Sequence, residues 1–235
     1  MQGIWPGPAR RGKDLIPIKD DSPLLRRPYA TMALLALNLM VYFYQALLPP
    51  RVELLLVHQY GLVPVWLSGW EAWGRPPQWI ARPFTLITYQ FLHGSIFHVG
   101  FNLLYLWIFG GKVEDALGRL RFVIFYLLGG VLAGMAQVLA APGSPLPVIG
   151  ASGAVAAVLG AYLVLYPRNH ILVLFWFFFF VRLIPVPALV FLGIWFALQV
   201  LNAGSGSVAW MAHIGGFVAG MLMVRCFLPR PPAPW

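Results

Sequence analysis

The chain has 235 residues, of which 60% are hydrophobic and only 10% are charged, and its formal net charge is +9. This balance excludes an ordinary soluble domain, in which about a quarter of the residues are charged. The positive charge does not indicate a nucleic-acid-binding protein, because most basic residues flank long apolar runs, as topology signals do. The single cysteine, Cys226, excludes an internal disulfide and a cysteine-based metal cluster. The composition predicts an all-α polytopic membrane protein.

Residues 1–28 precede the first apolar run and include six basic residues. We predict that they form a flexible, cytoplasmic N-terminal segment. The apolar run that follows is long and has no small-residue cleavage site behind it, so it is predicted to be a first span rather than a removed signal peptide.

Six apolar runs of about spanning length predict six transmembrane helices in one membrane domain at 29–228. Their approximate bounds are 29–48, 96–111, 121–140, 151–166, 184–201 and 208–227. Residues 229–235 are a proline-rich tail.

The apolar stretch from Ile171 to Val181 is too short to span a bilayer. We predict that it lies at the interface or packs under the helical bundle. This assignment matters because a span at this place would put the residues before and after it on opposite sides of the membrane.

A long connection at 49–95 separates spans one and two, and it is rich in tryptophan. Its tryptophans include Trp66, Trp70, Trp73 and Trp79. Because tryptophan favours the headgroup region, we predict that this connection lies in the outer interface as short amphipathic pieces. The alternative is a folded loop outside the membrane.

The basic residues are distributed unequally between the two sides of a six-span topology. Thirteen of the 16 Lys and Arg residues fall on one side, and the other three, Arg51, Arg75 and Arg82, all lie in the long connection. The positive-inside rule therefore predicts that both termini are cytoplasmic. Spans two, four and six then run from outside to inside.

Polar side chains recur near the outer ends of those three spans. His98 and Asn102 lie near the start of span two, Ser152 at the start of span four and His213 near the start of span six. Each has an ordinary alternative, since serine and asparagine are common in helix contacts and a histidine can bond a carbonyl at the interface. Polar groups inside a membrane are costly, so their joint placement favours a functional site.

A hydroxyl beside an imidazole is the arrangement of a serine hydrolase, with Ser152 as nucleophile and His213 as general base. The free N–H groups at the start of span four are suited to bind a developing oxyanion. His98 and Asn102 are spaced i and i+4, share one helix face and supply further donors.

No acidic residue lies in the outer half of a predicted span. The sequence therefore predicts a Ser–His dyad rather than a triad, unless the loop residues Glu53 or Glu71 reach His213. A zinc site built from His93, His98 and His213 is disfavoured, because no His-Glu-x-x-His pair and no carboxylate is in reach. We therefore expect no metal site.

Small residues predict a close contact between spans four and six. Span six contains Gly216-x-x-x-Gly220, a spacing that lets helix backbones approach closely in membranes. Span four has Ser152, Ala156 and Gly160 along one stripe, with Gly153 beside it.

Taken together, these motifs resemble those of the rhomboid intramembrane serine proteases of the short six-span bacterial type. The resemblance covers about residues 82–225. The matching motifs are His93-x-x-x-x-His98-x-x-x-Asn102, Val113-Glu114-Asp115-x-x-Gly118-x-x-Arg121-Phe122, Gly150-Ala151-Ser152-Gly153 and Ala212-His213-x-x-Gly216-x-x-x-Gly220.

The resemblance implies a rhomboid-like bundle of six helices in a bacterial inner membrane, with the active site near the outer face. It implies an endopeptidase whose partners are transmembrane protein substrates in the lipid bilayer and which uses neither a metal nor a cofactor. Ser152 would be the nucleophile and His213 its base, while His98, Asn102 and the Ser152 amide would bind the oxyanion. Supporting roles are implied for His93, Gly150, Gly153, Gly216 and Gly220. The Gly-Ser repeat at 204–207 would be a flexible lid.

Two features depart from this pattern. Some relatives have an aromatic residue one turn after the nucleophile, where this chain has Ala156, so another group must orient the imidazole. The Trp-Arg pair of other members is missing, and Ala81-Arg82 is the nearest sequence.

Two other functions are compatible with a rhomboid-like or polytopic chain. One is a non-catalytic, rhomboid-like factor that binds membrane proteins for quality control, although retention of both Ser152 and His213 disfavours it. The other is a small transporter or channel, which is disfavoured because such proteins usually need intramembrane carboxylates or an internal repeat, and the sequence has neither.

Overall fold

The computed structural model describes residues 17–20, 23–69, 82–177, 180–203 and 208–229. Several predicted features lie outside these ranges, namely most of the N-terminal segment, the tryptophans at 70, 73 and 79, the Gly-Ser repeat at 204–207 and most of the proline-rich tail.

The described part of the chain is mostly helical. Its helices are α1 (Tyr29–Ala46), α2 (Pro50–Tyr60), α3 (Pro64–Leu67), α4 (Thr85–Thr88), α5 (Ile96–Tyr105), α6 (Gly111–Leu117), α7 (Arg119–Ala140), α8 (Ser152–Leu165), α9 (Ala188–Leu201) and α10 (Trp210–Phe227). Short 3₁₀ turns occupy Arg82–Phe84 and Tyr89–Phe91, and a π-helical turn at Leu106–Gly110 joins α5 to α6.

Among the described residues, four helices are long and apolar enough to cross a membrane: α1, the continuous helix Ile96–Leu117, α7 and α10. The predicted spans 151–166 and 184–201 correspond to the shorter apolar helices α8 and α9, with 14 residues each. Most of α8 is buried among the neighbouring helices. The helix α9 begins only at Ala188, because Pro185 and Pro187 belong to the preceding strand.

A three-stranded antiparallel sheet lies beside the helices, and the all-α prediction does not include it. Its strands are β1 (Pro17–Asp20), β2 (His170–Phe177) and β3 (Phe180–Pro187), in the order β1-β2-β3.

The stretch Ile171 to Val181, predicted only to lie at the interface or under the bundle, forms β2 and the beginning of β3. Ile171 and Val173 are buried in the main core. Its β-branched and aromatic residues favour extended backbone. The strand β1 comes from the segment predicted to be flexible, and its buried Asp20 accepts a hydrogen bond from the Tyr162 hydroxyl of α8 at 2.7 Å.

Two sets of hydrogen bonds hold α1 antiparallel to the helix Ile96–Leu117, one to the helix itself and one to the segment just before it. At one end, the Glu114 carboxylate accepts from the backbone N–H of Ala30 at 3.0 Å and of Thr31 at 2.7 Å. These donors belong to the first turn of α1, where no intrahelical acceptor exists. At the other end, the Gln45 side chain exchanges hydrogen bonds with the backbone N–H and C=O of His93. Gln45 therefore fixes the chain just before α5.

The helices α8 and α10 approach so closely that glycine is needed at their contact. A Cβ atom at Gly216 would overlap the carbonyl of Gly153, and one at Gly220 would overlap the carbonyl of Ala157. On the other helix, a Cβ atom at Gly160 would overlap the carbonyl of Phe217. These contacts run in parallel along both helices, so the N-terminal ends of α8 and α10 lie at the same level.

Candidate active site

Ser152 and His213 contact each other at the aligned ends of α8 and α10. The Ser152 Oγ lies 2.8 Å from the His213 Nε2, a hydrogen-bonding distance. Both side chains are partly buried and line a cavity of about 770 Å³. The arrangement is that of a nucleophile whose proton a neighbouring base can accept.

The other imidazole nitrogen of His213 bonds to a residue that sequence analysis missed. The His213 Nδ1 lies 2.8 Å from the Oε1 of Gln199 in α9. Gln199 was nevertheless detectable, since a polar side chain inside the apolar run 184–201 is costly by the same argument that singled out Ser152 and His213.

The amide of Gln199 has a defined orientation. Its Nε2 donates to the backbone carbonyl of Trp195 at 3.1 Å, which turns Oε1 toward His213. An amide oxygen can only accept, so the proton of the neutral imidazole resides on Nδ1. The lone pair of His213 Nε2 then faces the Ser152 hydroxyl.

Two tryptophan rings flank the imidazole. The ring centroid of Trp195 lies 6.3 Å from that of His213, and the Trp210 ring lies edge-on at 5.9 Å. The two rings contact the imidazole in a chain that has the small residue Ala156 one turn after Ser152.

Gly150 brings His98 close to Ser152. Its φ of 124° lies in a region that side chains disfavour. A Cβ atom there would lie 2.6 Å from His98 Nε2 and 3.7 Å from Ser152 Oγ, so both polar atoms surround this glycine. His98 Nδ1 lies 3.5 Å from the backbone N of Gly94, a long contact in which Nδ1 accepts and that fits the tautomer with its proton on Nε2.

Asn102 lies on α5 four residues after His98 and lines the same cavity. It is only 7% exposed, and its Nδ2 has no hydrogen-bond partner among the described residues. A buried donor without an acceptor is unfavourable, so this N–H is free to donate to a group that enters the cavity.

His93 contacts the turn that precedes α8. It is 1% exposed, its Nδ1 donates to the Phe91 carbonyl at 3.2 Å, and its Nε2 accepts from the Ala151 N–H at 3.4 Å. Burial lowers the pKa of His93 to about 4. The ring is therefore neutral and can accept from the backbone beside Ser152.

Of the two loop acids considered as a third catalytic member, Glu53 lies on α2 and Glu71 lies outside the described residues. The neutral Gln199 occupies the position beside His213 Nδ1. Within the described ranges, no three His, Cys, Asp or Glu side chains lie close enough together to hold a metal ion.

Residues 80–230 match the sequence profile of the family described as the Rhomboid domain, and this match covers more than half of the chain. The chain belongs to the rhomboid family. The family predicted from the sequence is thereby confirmed. Because the chain belongs to this family and has long apolar helices, it is an integral membrane protein with a rhomboid-type polytopic fold.

Curated relatives include two proteins named as rhomboid proteases. The chain is 32% identical over 153 residues to Rhomboid protease GluP of Bacillus subtilis, which is 63% of this chain and 27% of that protein. It is 28% identical over 157 residues to Rhomboid protease GlpG of Serratia proteamaculans, covering 67% and 52%. It is also 28% identical over 229 residues to Rhomboid protein 1, mitochondrial, of Saccharomyces cerevisiae, covering 83% and 63%. The chain thus spans less than two thirds of the length of each.

Proposed function

We propose that this protein is an intramembrane serine endopeptidase that cleaves peptide bonds in or next to the transmembrane segments of membrane proteins. The observation that carries the proposal is the 2.8 Å contact between Ser152 Oγ and His213 Nε2 in the wall of a cavity. Membership of the rhomboid family, and relatives named as proteases, support it.

In the proposed reaction, Ser152 Oγ attacks the substrate carbonyl while its proton passes to His213 Nε2. The tetrahedral intermediate collapses to an acyl-enzyme as His213 returns that proton to the leaving amine. A water molecule, deprotonated by the same nitrogen, then hydrolyses the ester and regenerates the serine.

The oxyanion of each intermediate needs donors that are already in place. We assign this role to the Ser152 N–H at the start of α8, to His98 Nε2 and to Asn102 Nδ2. The assignment is supported by the assembly of His98 and Ser152 around Gly150, and by the buried, unpaired amide of Asn102. Gly150, Gly153, Gly216 and Gly220 support the site by permitting these close approaches, and His93 supports it by accepting from Ala151.

We infer six spans in a bacterial inner membrane from the apolar runs and the resemblance to short bacterial rhomboids. Given six spans, the distribution of Lys and Arg supports cytoplasmic termini and an active site near the outer face. The substrates we propose are transmembrane proteins. Their scissile amide must leave its helical hydrogen bonds before attack, so segments that unwind easily, with small residues near the cut, should be preferred.

The test uses the full chain in proteoliposomes with a single-span reporter and a fluorophosphonate probe. We expect wild-type protein to cleave the reporter and the probe to label Ser152, as assigned by mass spectrometry. Ser152→Ala and His213→Ala should abolish cleavage, while the matched variant Ser68→Ala, outside the cavity, should retain it.

Cleavage by Ser152→Ala would refute the mechanism. Folded wild-type protein that crosslinks to the reporter but neither cleaves it nor takes up the probe would indicate the non-catalytic binding function instead.

A further inference from the structure

We propose that Gln199 is a positioning residue for the base, so that a neutral amide holds His213 in its reactive tautomer and orientation. The inference rests on the proposed function, in which His213 is the base. It assigns a role to a residue outside the motifs through which the chain resembles its family. Gln199 reaches His213 from α9, whereas Ser152 reaches it from α8, so three helices determine the geometry of the pair.

The first step of the argument is that the amide cannot rotate freely. Gln199 is 7% exposed, and its Nε2 is held by the Trp195 carbonyl one helical turn earlier. Rotation by 180° would turn Oε1 toward that carbonyl and leave two acceptors facing each other. The hydrogen bond to Trp195 therefore determines which Gln199 atom faces His213.

The second step concerns the imidazole. With Oε1 as its partner, Nδ1 must donate, and only the tautomer with a free lone pair on Nε2 satisfies this bond. That tautomer is the one that accepts the Ser152 proton. Without Gln199, a ring that is free to rotate or change tautomer would direct a lone pair at Ser152 for only part of the time.

The third step concerns charge. When His213 accepts the serine proton, the Nδ1–H···Oε1 bond becomes charge-assisted and therefore stronger. The groups that face the imidazole are the uncharged side chains of Ser152 from α8, Trp195 and Gln199 from α9 and Trp210 from α10. The titratable groups that line the cavity from α5 are His98 and Tyr105. Gln199 is thus the polar group that stabilises the imidazolium on its Nδ1 side.

The test compares Gln199→Leu, which removes both polar atoms, with Gln199→Glu, which restores an acceptor at the same length. Leu198→Ala is the matched control, because Leu198 is the adjacent residue of α9 and is half exposed. Each protein is assayed in proteoliposomes for kcat, KM and the pH dependence of kcat/KM with the reporter, and for the rate of fluorophosphonate labelling.

We expect Gln199→Leu to lower kcat and the labelling rate by about 10- to 100-fold, with KM nearly unchanged. Gln199→Glu should recover most of that loss, and its acidic limb should move to higher pH because a carboxylate stabilises the imidazolium. Leu198→Ala should match wild type in all of these measurements.

Wild-type kcat and an unchanged pH profile in Gln199→Leu would overturn the inference. Equal inactivity of the Leu and Glu variants, with equal losses of thermal stability, would show a merely structural role and would also overturn it. Failure of the proposed function gives a different result, because wild type and Ser152→Ala would then behave alike.

Discussion

Gly220 of α10 lies directly against the backbone carbonyl of Ala157 in α8, with no room for a methyl group between the two helices. The same pair of helices provides Ser152 and His213, one to two turns away from this contact along α8 and α10. Their backbone separation therefore determines whether the hydroxyl reaches the ring nitrogen, and glycine at position 220 is a condition for the 2.8 Å contact.

Gly220→Ala should destabilise the protein and lower its activity. The added methyl group forces α8 and α10 apart, at a cost of about 1–3 kcal/mol for overpacking. Thermal unfolding in detergent and fluorophosphonate labelling would measure both effects. The control is Gly193→Ala in α9, where an added Cβ meets no atom within 4 Å, so alanine should be neutral or slightly stabilising. Equal behaviour of the two variants would contradict the proposed packing role.

Gly150→Ala should lower activity by about a hundredfold, since misplacement of reacting groups by about 1 Å has effects of this size. Its Cβ would push His98 away from Ser152 and also strain a backbone with φ of 124°. The control Gly118→Ala adds backbone strain without a steric clash, because Gly118 has φ of 80° and open space around its Cβ position. The control should lose about 1–3 kcal/mol of stability but retain its activity per folded molecule. Reporter cleavage rates, divided by the folded fraction of each variant, distinguish Gly150→Ala from Gly118→Ala.

Asn102→Leu should lower the activity of the protein without lowering its stability. Removing a buried amide whose Nδ2 is unpaired should leave the melting temperature unchanged or raise it. Loss of an oxyanion donor should lower kcat by about 10²- to 10³-fold. Asn38→Leu, at another buried asparagine on α1, should affect stability alone. An Asn102→Leu enzyme with normal kcat would exclude Asn102 from the oxyanion site.

His93 should make stability depend on pH below neutrality. Burial lowers its pKa from 6.5 to about 4, so the folded state binds fewer protons than the unfolded state between these values. Its contribution is fully present above pH 6.5 and is lost as the pH falls toward 4, at up to about 1.4 kcal/mol per pH unit. Melting temperatures of wild type and His93→Gln, measured from pH 8 to pH 4, should therefore converge as the pH falls. Parallel curves would show that His93 does not titrate with folding.

The helices are the part of the fold that the sequence predicted best. The first helix begins at Tyr29 and the last ends at Phe227, each close to its predicted bound. This agreement has a local cause, because an apolar run must satisfy its own backbone in lipid and does so as a helix. The lengths of α8 and α9 were overestimated, and the sheet formed by β1, β2 and β3 was missed. The pairing of β1 with β2 joins residues more than 150 positions apart, which no local pattern specifies. The pairing of β2 with β3 is local, and the β-branched and aromatic residues of this stretch could have indicated it.

The sequence by itself determined that this is a membrane protein of the rhomboid family, and it singled out Ser152, His213, His98 and Asn102 by the cost of polar groups in an apolar environment. It did not reveal Gln199 as the partner of His213, although that residue is equally polar. Which side chain meets the Nδ1 nitrogen depends on how α9 packs against α10, and only the assembled helices decide it. Hydrophobicity is a property of each segment, whereas a hydrogen bond between two segments is a property of their packing.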